Sequence, residues 1–212
     1  MKKIIIQSGF YHNVEQMQLL FSTLDYVKNE NILGGQICPM PYANADMLKY
    51  MQNILLGEIT DDVFEFIPGS GTFILNKKDE LPLSPVCIQL PDLRTEWVGV
   101  LPLNEDNEPH FLKFYRNKKT GWDLIPNDIE EMNKQNIHSY QEFEQFLVKE
   151  NEDWENNWIE TNRIEFKKNE LILFRPGLFH SYMDTFGEDN KTARLLQFFF
   201  IKIKETALTE QA

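Results

Sequence analysis

An α+β domain with a double-stranded β-helix, or jelly-roll, core is the fold class that the sequence predicts, and three observations carry it. Short apolar runs recur from Val63 to Leu103, broken by Pro-Gly-Ser-Gly at 68–71, by a Lys/Asp/Glu loop and by Pro91-Asp92, which is the spacing of a sandwich or barrel. Segments with helical periodicity precede that series and one interrupts it. The stretch Leu171–Ile203, LILFRPGLFHSYMDTFGEDNKTARLLQFFFIKI, then supplies two apolar strands, with His180 on one and Arg194 opening the other. A plain structural hairpin needs neither residue, so this stretch is expected to floor a small-molecule site.

The elements follow in order. Lys3–Gln7 is β-branched and apolar, a short first strand. Asn13 caps a helix whose face is Val14, Met17, Leu20, Phe21, Leu24 and Val27. After Gly34-Gly35 and an irregular passage, Asn44 or Asp46 starts a second helix over Met47–Leu56. Strands are expected at Val63–Ile67, Thr72–Leu75, Val86–Leu90, Trp97–Leu103 and His110–Tyr115. Ser139 followed by Glu142 is a capping-box signature for an inserted helix with Tyr140, Phe143, Phe146 and Leu147 on its buried face. Its acids, Glu142, Glu144, Glu150, Glu152, Asp153 and Glu155, read as a solvated face. Trp154 and Trp158 are expected at the surface, where they would suit a contact; the oligomeric state is open. Strands resume at Arg163–Phe166. The expected organisation is one domain over 1–212: helical support at 1–60, jelly-roll strands at 61–126 and 161–204, and a helical insertion at 127–160.

Composition narrows the function classes. A chain of 212 residues with 42% hydrophobic content can bury a core of its own, and its 16 Phe favour broad apolar layers. A net charge of −12 repels phosphate backbones and anionic lipid, which argues against nucleic-acid and membrane-surface roles. Cys38 and Cys87 match no zinc or redox spacing and read as buried thiols. The apolar run at the N-terminus is too short for a signal peptide or a membrane span, so a cytoplasmic protein is expected.

Four His are present. His12 precedes a helix and His138 lies in a loop, both at the surface; His110 heads an apolar run and reads as a partly buried, hydrogen-bonded imidazole. His180 follows a turn and is bounded by Phe179 and Tyr182, a setting that suits a ligand. Arg194 stands at a strand start, where its fixed fork can hold a carboxylate bidentately. Asp92, at a strand end, adds a carboxylate. One carboxylate and two imidazoles make the facial triad that holds iron(II), and this chain offers Asp92 and His180.

Four blocks occur together in one order: Trp97-Val98-Gly99-Val100-Leu101-Pro102-Leu103-Asn104, then Phe114-Tyr115-Arg116-Asn117-Lys118-Lys119-Thr120-Gly121, then Pro176-Gly177-Leu178-Phe179-His180, then Ala193-Arg194-Leu195-Leu196-Gln197-Phe198-Phe199-Phe200. In this order the chain resembles a bacterial and phage branch of the iron(II)/2-oxoglutarate-dependent oxygenase-like superfamily, over roughly Pro85 to Ile203. The resemblance implies a cupin-like double-stranded β-helix, iron(II) held by Asp92 and His180, and Arg194 as partner of the distal carboxylate of 2-oxoglutarate, with a small molecule or peptide as substrate. The chain departs from the branch where metal is bound: Leu90 stands at the first metal His, His110-Phe111-Leu112 replaces a Gly-Gly-Thr turn, and Leu196 replaces a Thr. Gln89, Glu96 and His110 are the candidates to replace the missing imidazole. Two functions stay open: an oxygenase with an altered metal site, or a catalytically inactive pseudo-oxygenase that binds a ligand or partner. A metal-independent enzyme using His180 as general base is a third.

Overall fold

In the computed structural model, which describes residues 4–28, 35–57, 63–78, 95–126, 128–182 and 185–204, two antiparallel sheets face each other across an apolar interior. The strands are β1 (Ile4–Ser8), β2 (Val27–Lys28), β3 (Gln36–Ile37), β4 (Phe64–Phe66), β5 (Thr72–Asn76), β6 (Thr95–Pro102), β7 (Phe111–Asn117), β8 (Trp158–Glu165), β9 (Glu170–Phe174), β10 (His180–Tyr182) and β11 (Arg194–Ile203). The helices are α1 (Val14–Ser22), α2 (Ala45–Leu56), α3 (Ile129–Asn133), α4 (Tyr140–Glu152) and α5 (Trp154–Asn157). The larger sheet runs β1-β9-β6-β11-β5-β3-β2, with β4 also on β11, and the smaller runs β10-β7-β8.

Period-2 alternation sorts the side chains of the large sheet into two compartments. Phe73, Leu75, Trp97, Leu101, Leu171, Leu173, Leu195, Phe199 and Ile201 face α1 and α2, where Val14, Phe21 and Met51 meet them. The alternate positions Ile74, Val98, Val100, Ile172, Phe174, Leu196 and Phe198 face the small sheet and pack on Leu112, Phe114 and Ile164. Gly99 leaves a gap in the first set, and a side chain there would press on its neighbours. A Cβ there would lie 3.2 Å from Leu173 Cδ2 and from Phe199 Cβ, and 3.3 Å from Leu171 Cδ1.

Gln197 joins the helix-facing side as a polar pin. It is wholly buried, accepts from the Tyr11 hydroxyl at 2.7 Å, and donates to the carbonyls of Tyr42 and Gly71. A third cluster, Tyr115, Trp122, Met132, Ile137, Phe143, Trp158 and Phe179, seats the inserted helices on the outer face of the small sheet.

Several expectations shift. Helix α1 stops at Ser22 and Val27 lies on the exposed strand β2, so Val27 is not part of the helical face. The first sixty residues contribute strands to the large sheet as well as two helices. Strand β8 begins at Trp158, inside the expected insertion, because seven positions of it pair with β7. Trp158 is accordingly buried in the third cluster rather than exposed, and Trp154 packs against the same cluster. Glu150 is also turned inward and accepts from Asn117 Nδ2 at 2.8 Å, while the other acids of the run remain exposed. The expected strand Val86–Leu90, Cys87, Gln89 and Asp92 lie outside the described residues.

Candidate functional site

His180 is delivered by a packed turn. Pro176-Gly177 closes β9 onto β10, with Leu178 N donating to the Arg175 carbonyl at 3.1 Å and Ile125 N donating to the Gly177 carbonyl at 2.9 Å. Gly177 lies against Leu124 and Ile125. In register with Phe114, His180 points into the barrel, fully buried, with ring centroids 5.0 Å from Phe174 and 6.4 Å from Phe114. Its Nδ1 lies 2.7 Å from the Leu178 carbonyl, which can only accept, so Nδ1 carries the proton. Burial pushes the imidazole pKa down to about 4, against the Leu178 carbonyl, which favours the charged form. The residue is therefore a neutral imidazole with its lone pair on Nε2, the form in which His binds a divalent metal.

Arg194 enters the same interior from the opposite sheet. The loop before it is shaped by Asp189, whose Oδ1 accepts from Lys191 N, Thr192 N and the Thr192 hydroxyl. Asn104 then clamps the backbone on either side of Arg194, donating to the Ala193 carbonyl and accepting from Leu195 N, both at 2.8 Å. The guanidinium donates to Asn76 Oδ1 at 3.2 Å and lies 5.7 Å from the centroid of Phe166. Asn76 sits opposite Arg194 in the β5–β11 ladder.

The two residues share the barrel but not its level. His180 stands with Phe114, Phe174 and Val98; Arg194 stands with Asn76 and Phe166. Between them lie Val100, Leu112, Leu196 and Phe198, all buried.

His110 belongs to the Arg194 end. It precedes β7 by one residue, four residues from the register partner of His180, which at roughly 3.3 Å per residue separates the two backbones by about 13 Å. The structure does not bring His110 and His180 together as ligands of one metal. It places His110 beside Arg194, in the wall of a cavity of about 290 Å³ at this end of the barrel. Glu96 is engaged by Arg175, which also lies 4.4 Å over the ring of Trp97. His12 and His138 are at the surface. Among the described residues no group of three His, Cys, Asp or Glu could hold a metal ion. Of the two predicted metal ligands, His180 is a neutral imidazole with the proton on Nδ1, and Asp92 lies outside the described residues.

The architecture matches that of HygX from Streptomyces hygroscopicus, whose crystal structure has nickel and 2-oxoglutarate bound. The two chains share 15% identity at a TM-score of 0.52, over 94% of this chain and 82% of that one. The fold is a double-stranded β-helix. A Pseudomonas putida prolyl-4-hydroxylase aligns at 16% identity and a TM-score of 0.45, over 94% of this chain and 92% of that one. No family model and no curated protein matches the chain. Identities this low establish the shared fold, and the residues have to carry the rest. Asn76, Asn104 and Phe166 are among the neighbours of Arg194. Of these, Asn104 alone stood in one of the ordered sequence blocks, while Asn76 is separated from Arg194 by 118 positions and carries no local signal.

Proposed function

We propose that the chain is an iron(II)/2-oxoglutarate oxygenase-like protein with an altered metal site, in which Arg194 receives the distal carboxylate of 2-oxoglutarate and His180 and Asp92 hold the metal. The observation that carries this reading is that Arg194 and His180 enter one barrel interior from opposite sheets, both fully buried. The guanidinium fork suits a carboxylate in the bidentate geometry that Lys cannot offer, and Asn104 fixes its direction. His180 presents Nε2 as a neutral donor. HygX, of the same fold, carries nickel and 2-oxoglutarate. When bound, iron with 2-oxoglutarate would supply O2-dependent oxidation of a small molecule or peptide; the chain's own part is to orient these groups and to exclude water with Phe114, Phe174 and Phe198.

Anaerobic titration of the purified chain with iron(II), then with 2-oxoglutarate, tests this. His180→Ala should weaken metal binding by about tenfold or more. Arg194→Ala should weaken 2-oxoglutarate by about ten- to a hundredfold while leaving the metal in place. Absence of measurable binding of both ligands by the unaltered chain would sink the reading.

A second reading, a catalytically inactive relative that keeps the pocket for a ligand or partner, is favoured by the apolar layer between His180 and Arg194 together with Leu90. Leu90→His separates the two. A gain of iron affinity supports a decayed triad, and no gain removes Leu90 from the metal position.

A further inference from the structure

Strand β5 brings Asn76 to the candidate site. Phe73 and Leu75 face the helices and Ile74 faces the small sheet, so the pleat turns Asn76 into the same interior as Ile74. There it stands opposite Arg194 in the β5–β11 ladder, 1% exposed, and its Oδ1 accepts from Arg194 Nη2 at 3.2 Å. Both ends of this contact are held in place. Asn104 clamps the backbone around Arg194. Gly35, at φ +67°, lies against the Asn76 amide, where a side chain would collide with the amide nitrogen. Two residues beyond Asn76, Lys78 N donates to the Gly187 carbonyl at 2.9 Å and ties the end of β5 to the loop that leads into Arg194.

An asparagine is a costly residue at this position. Its Nδ2 is buried without a hydrogen bond, and an unmet buried donor destabilises a fold. Leucine, of similar size, would leave no polar atom unmet. Aspartate, of the same shape, has no donor to strand and would meet the guanidinium with a full charge. Of the three, only asparagine grips the guanidinium through an acceptor and adds no charge. A neutral acceptor orients the fork, whereas a carboxylate would also compete with a ligand for it.

We propose that Asn76 is the positioning residue of the carboxylate site and the source of its selectivity. Through Oδ1 it holds the direction of the Arg194 fork, and by being neutral it does not compete with a ligand carboxylate for that fork. This rests on the reading of Arg194 as the partner of the distal carboxylate of 2-oxoglutarate. The site then reads the charge of that group as well as its shape. It separates 2-oxoglutarate from 2-oxoglutaramate, the same skeleton with a carboxamide at the distal end.

The test titrates both compounds by calorimetry into the full purified chain, in anaerobic buffer with iron(II). The unaltered chain should bind 2-oxoglutarate about tenfold or more tightly than 2-oxoglutaramate. Asn76→Asp keeps the shape of the side chain. It should lose about a hundredfold in affinity for 2-oxoglutarate and little for 2-oxoglutaramate, so that the preference disappears. Asn76→Ala, which frees the fork without adding charge, should weaken 2-oxoglutarate by about tenfold and keep the preference. Damage to the fold would instead lower both affinities together, and thermal unfolding of each variant without ligand reports it directly. If Asn76→Asp keeps the preference, or loses both ligands in equal proportion, the proposal is overturned while the assignment of Arg194 stands. If the unaltered chain binds no 2-oxoglutarate, or Arg194→Ala keeps the preference, the assignment of Arg194 fails and this proposal with it.

Discussion

His180 couples the candidate site to pH. Burial drives its pKa to about 4, below the ordinary value near 6.5 of an unfolded chain. Between those two values the unfolded state takes up a proton that the folded state refuses, so stability rises with pH through the window and is fully present above it. In metal-free buffer, this one residue should make the protein about 3 kcal/mol less stable at pH 4 than at pH 7. Urea midpoints at the two pH values, compared with those of His180→Leu, measure it; an unchanged slope in the variant would exclude His180 as the source. The reason for the position was only half legible in the sequence. The Pro-Gly turn and the neighbouring Phe179 marked His180 as unusual. The rings of Phe114 and Phe174, which set its protonation, come from β7 and from the other sheet. His110 shows the converse: its place at the head of an apolar run was readable, but its company at the Arg194 end follows from register, which no local pattern states.

Among the elements, α4 and the turn after β7 behave as one unit. The Ser139 cap was legible as a capping box, and Glu142 N does donate to Ser139 Oγ at 3.2 Å. The reciprocal arm differs, because Glu142 Oε2 accepts from His138 N at 2.7 Å rather than from Ser139. Ser139→Ala should lower stability by about 1 kcal/mol in chemical denaturation. Asn117 has the larger role. Its Oδ1 accepts from Lys119 N, Thr120 N and the Thr120 hydroxyl, and its Nδ2 donates to the buried Glu150. Asn117→Ala leaves that carboxylate buried without its amide donor and should cost about 2–4 kcal/mol. If Glu150→Gln in the same background recovers part of the loss, the carboxylate is the cause. Read as one charge run, the acids hid Glu150, although the i, i+3, i+4, i+7 spacing of Phe143, Phe146, Leu147 and Glu150 puts it in the middle of the buried face of α4. The early start of β8 was hidden for a similar reason: Trp158–Glu165 is polar at most positions, and pairing with β7, not composition, makes it a strand.

For the molecule as a whole, the large sheet is the partition on which everything else depends. One face needs α1 and α2, the other the small sheet, and Gln197 fastens the first of these contacts through Tyr11 and the Tyr42 carbonyl. Removing residues 1–57 strips the cover from Phe73, Leu101, Phe199 and Ile201, an apolar area that water tolerates poorly. Size-exclusion chromatography of the truncated chain should show aggregates in place of the monodisperse peak of the full one, and near-UV circular dichroism should lose its fixed aromatic signal. The barrel itself was legible at this scale, because several short runs and two strongly apolar ones in the last third leave few other ways to bury so many Phe side chains.

Strand β11 also offers a built-in control. Its residues alternate between compartments, so a substitution can be aimed at one wall of the sheet without touching the other. Phe199→Leu, on the helix side, should lower Tm and leave every ligand affinity where it was. Leu196→Thr, one step across the pleat and three residues away, changes the apolar layer between His180 and Arg194, so folding and binding should move together. A single strand thereby calibrates how much of any lost affinity is merely lost fold, within one protein and one assay.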